Sequence, residues 1–427
     1  MAKLEKIGKF QVTREIGKGA TASVYVAEDP FTGDEVAIKA ASQGVFLDPV
    51  NGPKFKKMFM NEASLAGKLH HPHIIRVFDA GIENDTHYIV MEYVPGTTLK
   101  TYCDPGNLMP IQRVTEIIFK CCKALEYAWQ YGLIHRDIKP ANIMFLGDTE
   151  IKVADFGAAL HHTAEQTQVV GAVGSPAYMS PEQIKGQDLN NQTDIYSLGV
   201  VFYQMLTGKL PFVADSEYGF VNKILNDEAK PLREIRPEIP EEIERIVKRA
   251  MNKNREQRYG AWADFSDDLS KVFPSSNNDS EEENSDTKRY NTLTHLEFFK
   301  DFSETELWEL VRISKWKIFP KDAVLLQEDK VGKSFFILAS GEARVTKSGK
   351  LLGLIKPGDS FGEMVYINEA QNKRSATITT NAPILLIKIQ AESLREASNA
   401  LQARFNKKFL TLLAERLARA DQLIAVL

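Results

Sequence analysis

The spacing of apolar and polar residues divides the first half of the chain into two regions. Residues 10–39 mix β-branched and aromatic residues with glycine and proline, which predicts short strands. Residues 54–69 carry apolar residues at helical spacing, and residues 74–94 return to strand character. From about Leu108 onward, broad apolar faces in IQRVTEIIFKCCKALEYAWQ, IYSLGVVFYQML and EEIERIVKRAM predict helices. We therefore expect a small strand-rich lobe followed by a larger helical lobe.

The pattern changes after residues 275–289, SSNNDSEEENSDTKR, which contain no aliphatic or aromatic residue. Such a segment cannot bury enough apolar surface to fold, so we predict an acidic flexible linker, with an acidic surface loop as the alternative. Residues 316–389 then alternate short β-like runs with glycine turns, which is typical of a small barrel or jelly roll. Residues 391–427 lack Gly and Pro and predict long helices. The predicted domains are 1–274 (lobes of about 10–93 and 94–274), the linker 275–289, and 290–427.

Composition narrows the class of protein. The 427 residues are too many for one core. Lys+Arg is 53 and Asp+Glu is 57, and this net charge of −4 argues against a general nucleic-acid binder. The three cysteines have no metal-ligand spacing, which indicates reduced thiols. The longest apolar run, residues 195–206, is about half the length that spans a bilayer, so we expect a soluble, cytoplasmic protein without membrane contact.

A glycine-rich stretch and a lysine-bearing strand open the first domain. IGKGATASVYVA contains Gly17 and Gly19, small residues that let the backbone lie against phosphate groups. Ala22 stands where a third glycine would complete the pattern. VAIK puts Lys39 at the end of a strand, and Glu62 is the only acidic residue of the first predicted helix.

Three further motifs follow in order, HRDIKPAN, DFG and GSPAYMSPEQ. The first holds Asp137, Lys139 and Asn142, and the second holds Asp155 after the strand-like EIKVA. Together with the two earlier motifs, these stretches resemble a eukaryotic-type Ser/Thr protein kinase, most like the bacterial members, over residues 10 to about 273.

The resemblance implies that the chain transfers the γ-phosphate of ATP to Ser or Thr hydroxyls of proteins. Asp137 would accept or orient the hydroxyl proton, and Lys139, the form associated with Ser/Thr kinases, would neutralise charge on the transferred phosphoryl group. Lys39 would hold the α- and β-phosphates and pair with Glu62. The magnesium ligands would be Asn142 and Asp155, and the ATP-binding set would be Ile16, Gly17, Lys18, Gly19, Ala20, Val24, Ala37, Lys39, Met91, Glu92, Val94, Asn142 and Asp155.

Alignment of HYIVMEYV with the family implies how the adenine is held. Met91 would guard the back pocket, and the backbone of Glu92 and Val94 would meet the base. In the same family the end of the activation segment forms a structural ion pair, which here would join Glu182 to Arg258.

Arg136, immediately before the catalytic aspartate, is typical of kinases that need a phosphate on the activation loop. Thr163 and Thr167 lie in that loop and are candidate phosphorylation sites, although two loop threonines are also unremarkable. By resemblance, Asp194 would bond the backbone near the HRD triplet.

The second domain carries FGEMVYINEAQNKRSAT, in which a carboxylate and a guanidinium flank a short turn. This stretch and the SGEARV turn resemble a cyclic nucleotide-binding domain. Glu363 would accept the ribose 2′-hydroxyl, and Arg374 would pair with the cyclic phosphate through its fork of N–H donors. Gly362 would permit close approach, and backbone N–H groups near Met364 would add positive charge. The implied site is Phe361, Gly362, Glu363, Met364, Arg374 and Ser375.

One departure concerns the spacing between Glu363 and Arg374, which are eleven residues apart, slightly more than in the eukaryotic kinase subunits. The extra residues fall in NEAQNK, a turn-like segment. A domain that kept its fold and lost its ligand is the alternative, but both charged residues are present. Ser375 is compatible with cAMP and does not exclude cGMP.

The predicted fold class is α+β, a bilobal protein kinase fold followed by a β-barrel or jelly-roll cyclic nucleotide-binding domain with flanking helices. We expect a Ser/Thr kinase that uses ATP and Mg²⁺ and is regulated by a cyclic nucleotide, with cAMP favoured over cGMP. The alternatives are a constitutive kinase whose C-terminal domain only dimerises or docks, and an inactive kinase-fold scaffold. The expected partners are protein substrates and the cyclic nucleotide, without nucleic acid. The C-terminal helices could form a lid, a homodimer seam or a dock for the kinase, with core packing as the plainest reading.

Overall fold

The computed structural model describes residues 5–19, 22–41, 52–83, 86–156, 160–161, 176–272, 286–368 and 373–424. The chain forms two compact units, Met1–Ser275 and Ser276–Leu427, here called the N-terminal and C-terminal units. None of the helices in the described ranges combines the length and apolar character that a membrane span requires.

The N-terminal unit begins with an antiparallel sheet of six strands in the order β1-β2-β3-β4-β6-β5. Its elements are β1 (Lys6–Ile7), β2 (Phe10–Lys18), β3 (Ala22–Glu28), β4 (Glu35–Ala41), α1 (Gly52–Ala66), β5 (Val77–Glu83) and β6 (Thr86–Glu92). Apolar side chains of β3, β4 and β6 form the core beneath one face of the sheet. The predicted strand-rich small lobe is present.

The rest of this unit is mainly helical. Its helices are α2 (Ile111–Gln130), α3 (Pro181–Ile184), α4 (Asn191–Thr207), α5 (Glu217–Asn226), α6 (Glu241–Ala250) and α7 (Trp262–Val272). Short 3-10 turns lie at Leu99–Tyr102, Pro105–Asn107, Pro140–Asn142, Pro176–Tyr178 and Leu232–Glu234. The apolar run at 195–206 is the buried centre of α4, which ends at Gly208 in the left-handed conformation (φ 70°). All three cysteines are buried free thiols.

Two small sheets carry the loops that hold the candidate catalytic residues. Their strands are β7 (Thr97–Thr98), β8 (Leu133–Ile134), β9 (Ile143–Gly147), β10 (Glu150–Val153) and β11 (Leu160–His161). Residues 135–142 connect β8 to β9, and Asp155 follows β10. Because β9 and β10 pair as a hairpin, Ile143 stands opposite Val153, and the start of one strand lies beside the end of the other. The hairpin therefore brings Asn142 close to Asp155.

The C-terminal unit is built on two antiparallel sheets of four strands each, in the orders β12-β19-β14-β17 and β13-β18-β15-β16. The strands are β12 (Ser314–Phe319), β13 (Val324–Leu326), β14 (Ser334–Ser340), β15 (Ala343–Lys347), β16 (Lys350–Ile355), β17 (Ser360–Phe361), β18 (Thr377–Thr380) and β19 (Ile384–Gln390). Leu338, Ile378 and Leu386 lie in the core that the sheets share. The jelly-roll-like prediction is therefore correct.

Helices flank these sheets on both sides in sequence: α8 (Asp286–His295), α9 (Glu304–Ile313), α10 (Met364–Ile367), α11 (Ala391–Arg395) and α12 (Asn399–Ile424), with a 3-10 turn at Glu297–Phe299. The helix α8 begins at Asp286 and so includes the last four residues of the stretch 275–289 that the sequence predicts as a linker. Thr287 is buried, and the Tyr290 ring stacks on Trp308 at 4.4 Å between centroids. This packing stabilises a helix whose first residues, 286–289, lie in the stretch predicted as a linker.

Candidate functional site

Asp137, Lys139 and Asn142 form one hydrogen-bonded group in the loop after β8. Lys139 Nζ donates to Asp137 Oδ2 at 2.7 Å. Asn142 Nδ2 donates to the Asp137 carbonyl at 2.9 Å and to Oδ2 at 3.1 Å. Asn142 is buried and the other two side chains are half-buried. A carboxylate that accepts from both a cation and an amide is fixed in orientation.

The backbone is in an uncommon conformation in this loop and also in the loop after β10. Arg136 and Asp155 have φ values of 69° and 65°, which cost energy in residues other than glycine. The buried carboxylate of Asp194 accepts from the backbone N–H groups of His135 at 2.7 Å and Arg136 at 2.8 Å. The predicted bond from Asp194 to this backbone is confirmed. Burial raises the pKa of Asp194, against the opposing effect of His135 and these two bonds.

Lys39 reaches from β4 to Asp155, the second residue after β10. Its Nζ lies 2.9 Å from Asp155 Oδ1, and the side chain of Lys39 is 18% exposed. Burial alone would raise the pKa of Asp155, but the charge and hydrogen bond of Lys39 outweigh it and hold that pKa below its ordinary value. Asp155 is therefore a carboxylate at neutral pH. Glu62, the expected partner of Lys39, lies in α1, and its side chain is outside the described residues.

The residues expected around the adenine lie at the end of β6. Met91 stands opposite Ala37 of β4, and Val94 is buried. Glu92 donates its N–H to the Arg76 carbonyl at 2.8 Å. Met91 therefore lies beside β4, the strand that carries Lys39, and the expected roles of Met91, Glu92 and Val94 around the adenine stay predictions.

The glycine-rich strand pair places the expected phosphate-binding residues in β2, in β3 and at the turn between them. Gly17 stands opposite Val24, Gly19 donates its N–H to the Ala22 carbonyl at 2.8 Å, and Ile16 is exposed. A Cβ on Gly17 would meet only Val24, at 3.8 Å, and φ of Gly17 is not positive. The fold therefore does not itself demand glycine at 17. Lys18 is exposed, and Ala20 lies outside the described residues.

The predicted ion pair between Glu182 and Arg258 is confirmed. Arg258 Nη1 lies 2.7 Å from Glu182 Oε1, and both side chains are at most 1% exposed. Burial opposes the charge on Glu182, but the Arg258 hydrogen bond and charge lower its pKa below the ordinary value. Thr163 and Thr167 lie outside the part of the chain that the structure describes.

In the C-terminal unit, Arg374 is buried beside β14 and β17. Its Nη1 donates to the Gly362 carbonyl at 3.0 Å and its Nη2 to the Ser334 carbonyl at 2.6 Å. Gly362 (φ 73°) and Gly332 make room for the guanidinium, because a Cβ at either position would overlap it. Burial lowers the pKa of Arg374, while the charge of Glu363 acts in the opposite direction. An arginine remains a cation under such conditions.

The other expected residues of this site are close by. Glu363 is buried just before α10, which begins at Met364. The Phe361 ring stacks on Phe336 at 5.4 Å, and Ser375 is exposed beside Arg374. Residues 369–372, most of the NEAQNK turn, lie outside the described ranges.

These residues line a cavity of about 1090 Å³. Phe361, Gly362, Glu363, Met364, Arg374 and Ser375 all contribute to its wall. Leu352 and Leu354 of β16 and Leu412 of α12 supply an apolar part of the same wall. The cavity therefore offers a buried cation and carboxylate together with an exposed aliphatic surface, which suits a ligand with an anionic part and a flat apolar part.

Sequence reasoning missed several residues of these sites. The carbonyl of Ser334 and the space at Gly332 hold Arg374, but backbone partners leave no side-chain signature. The apolar run KLLGLI could have been noted in the sequence as a candidate ligand surface. In the structure its Leu352 and Leu354 are 62% and 49% exposed, which is unusual for leucines of a strand.

Comparison with known proteins agrees with both predicted domains. Residues 10–268 match the family model of the protein kinase domain, and residues 316–400 match that of the cyclic nucleotide-binding domain. The chain belongs to the protein kinase domain family. The predicted resemblance and fold class are confirmed.

Curated relatives include Ser/Thr kinases of several bacteria. The chain is 37% identical over 275 residues to a probable serine/threonine-protein kinase of Clostridium acetobutylicum, covering 64% of this chain and 41% of that protein. It is 37% identical over 267 residues to PrkC of Bacillus subtilis (62% and 41%) and 35% identical over 272 residues to PknB of Mycobacterium tuberculosis (62% and 43%). The chain thus spans about two fifths of the length of these relatives.

Proposed function

We propose that the N-terminal unit transfers the γ-phosphate of ATP to Ser or Thr hydroxyls of protein substrates. The observation that carries this proposal is that Lys139 and Asn142 both donate hydrogen bonds to the carboxylate of Asp137. The ion pair of Lys39 and Asp155 lies close by, after the end of β10. Phosphoryl transfer depends on positioned charge more than on covalent chemistry, and these groups supply that charge.

Each side chain has a role that its contacts support. Asp137, oriented by Lys139 and Asn142, accepts the proton of the substrate hydroxyl. Lys139 stabilises negative charge on the phosphoryl group in flight, and Lys39 holds the non-transferred phosphates. Gly17 lets the backbone of β2 approach those phosphates, which explains a glycine that the fold alone does not need.

The donor set also fits Mg²⁺, which supplies charge neutralisation on the phosphates when bound. Asp155 would provide a carboxylate oxygen. Because the side-chain nitrogen of Asn142 donates to Asp137, the side-chain oxygen of Asn142 is the atom that would bind Mg²⁺. Among the described residues, no three His, Cys, Asp or Glu side chains gather as a closed metal cage. Two protein oxygens plus substrate phosphates are the usual surroundings of Mg²⁺.

The test is phosphate transfer from labelled ATP to a generic protein substrate. Asp137→Asn removes the acceptor of the hydroxyl proton, so we expect a rate about 10²- to 10⁴-fold lower. Asp148→Asn is the matched control, because its side chain is 90% exposed on a turn of the same unit. Equal rates for wild type and Asp137→Asn would reject the proposal that the chain is an active kinase. The alternative of an inactive kinase-fold scaffold would then stand.

We also propose that the cavity of the C-terminal unit binds a cyclic nucleotide, with cAMP favoured over cGMP, and that binding regulates the kinase. Arg374 supports this proposal, because two neutral carbonyls hold its guanidinium without cancelling its charge. The leucine surface of β16 and α12 suits the base, and Glu363 suits the ribose hydroxyl.

Calorimetric titration of the full chain with cAMP and cGMP tests the binding. Arg374→Ala should weaken binding by about 100-fold, since removal of one partner of a buried charge pair costs roughly 2–5 kcal/mol. Arg344→Ala is the control, because Arg344 bonds Asn381 in the same unit. Absence of heat with either nucleotide, from a chain whose thermal unfolding is normal, would reject the sensor and favour a domain that only docks or dimerises.

Regulation requires that the cyclic nucleotide bind one state of the chain more tightly than another. The helix α12 supports such a coupling, because it carries Leu412 at the cavity while Phe405 and Phe409 pack in the core of the unit. Ligand contact at Leu412 can therefore bias the position of the whole helix.

A further inference from the structure

One ion pair joins the two lobes of the N-terminal unit near the expected adenine site. Glu92, the last residue of β6, accepts from Lys152 Nζ at 2.8 Å through its Oε2. The same oxygen lies 3.3 Å from the backbone N–H of Arg76, and the N–H of Glu92 donates to the Arg76 carbonyl at 2.8 Å. Both the side chain and the backbone of Glu92 are therefore held.

Lys152 connects Glu92 to β10, the strand that leads to the proposed magnesium ligand Asp155. It lies on β10, three residues before Asp155. The next residue, Val153, donates to the His73 carbonyl at 2.8 Å and accepts from Ile75 N–H at 2.9 Å. Residues 73–76 therefore bond to β10 at one end and to Glu92 at the other, and the ion pair closes this triangle.

The pair differs from the surface ion pairs of the unit. The Lys152 and Glu92 side chains are 13% and 31% exposed, whereas the exposed pair between Arg113 and Asp148 has values of 38% and 90% at 3.3 Å. Exposed pairs contribute little. Removing the two charges of a partly buried pair from water costs free energy that their mutual attraction only partly offsets. We therefore attribute to this pair a role in fixing geometry more than in raising stability.

We propose that Lys152 and Glu92 are positioning residues for ATP. Their ion pair fixes the peptide of Glu92, whose carbonyl would face the adenine, relative to the strand that presents Asp155. Neither side chain is assigned contact with the reacting atoms. This inference rests on the proposed ATP-dependent function.

The prediction for single substitutions is a selective loss of ATP affinity. Lys152→Met and Glu92→Gln in the full chain should each raise KM for ATP by about tenfold, as expected for loss of a hydrogen bond to a charged group. We expect kcat to change less than about twofold, because the catalytic group around Asp137 is untouched. The double variant Lys152→Met with Glu92→Gln should raise KM no further than either single variant, because both substitutions break the same ion pair.

Binding of ADP, measured by calorimetry, separates this inference from the proposed function. The control variants Arg113→Met and Asp148→Asn should leave both KM and ADP affinity unchanged. Single variants with wild-type KM, or losses that simply add in the double variant, would overturn the positioning role. A wild-type chain that binds no ADP would instead overturn the proposed function itself.

Discussion

The two candidate sites hold their charges in opposite ways. In the candidate site of the N-terminal unit both lysines are paired with a carboxylate, Lys39 with Asp155 and Lys139 with Asp137. In the C-terminal unit the guanidinium of Arg374 hydrogen-bonds to the neutral carbonyls of Gly362 and Ser334, and the carboxylate of Glu363 acts on it as a nearby charge. Carbonyls fix an arginine in place but leave its charge for an incoming anion.

This difference predicts different requirements for binding. A phosphate that approaches Lys39 also meets the carboxylate of Asp155, and like charges a few ångströms apart repel strongly in a partly buried site. ATP therefore needs a divalent cation beside Asp155. A cyclic phosphate that approaches Arg374 needs none.

Removal of Mg²⁺ should have the largest effect on the difference between the two sites. Chelation with EDTA should weaken binding of an ATP analogue by about 10- to 100-fold, because Asp155 is then unshielded. Binding of cAMP or cGMP should stay within about twofold. Calorimetry of both ligands on one preparation measures this contrast, and an equal loss for the two ligands would contradict it.

A smaller effect is expected from Gly332→Ala. A Cβ at this position would overlap the guanidinium of Arg374, so the side chain must move from its two carbonyl partners. We expect cyclic nucleotide affinity to fall by about tenfold, the size of a lost charged hydrogen bond. Titration of the variant against wild type measures the loss. Unchanged affinity would mean that the position of Arg374 does not matter for the ligand.

The smallest expected effect concerns stability and pH in the N-terminal unit. Arg258 holds the pKa of Glu182 below its ordinary value of 4.5. A depressed carboxyl pKa adds stability above the ordinary value and loses it as pH falls through the folded value. Glu182→Gln should therefore have a lower melting temperature than wild type at pH 7. The difference between the two melting temperatures should become smaller at a pH below 4.5. Calorimetric melting of the full chain at both pH values is the measurement, and an identical gap would contradict the ion pair's role.

How far the sequence predicted the sites depends on the range of the interactions. Asp137, Lys139 and Asn142 lie within six residues of one motif that resembles the kinase family, so the sequence indicated a single group. The pairs of Glu182 with Arg258 and of Asp194 with the HRD backbone were also predicted, through resemblance to a family. Lys152 was not, because a lysine in a strand has no distinguishing pattern until β10 is placed beside β6.

In the C-terminal unit the limit was of another kind. Glu363 and Arg374 were recognisable from their motif, whereas the partners of Arg374 are backbone atoms. Leu412 lies almost forty residues further along the chain, and its helical pattern indicated only a buried face. Tertiary packing decides which leucine of such a face reaches a cavity.

The most direct test is phosphate transfer by the full chain with and without each cyclic nucleotide, for wild type, Arg374→Lys and Asp137→Asn. We predict that the wild-type rate changes when cAMP or cGMP is added, that Arg374→Lys loses this response, and that Asp137→Asn transfers almost no phosphate. A wild-type rate that is the same with and without both nucleotides, or a response that persists in Arg374→Lys, would contradict a kinase controlled through Arg374.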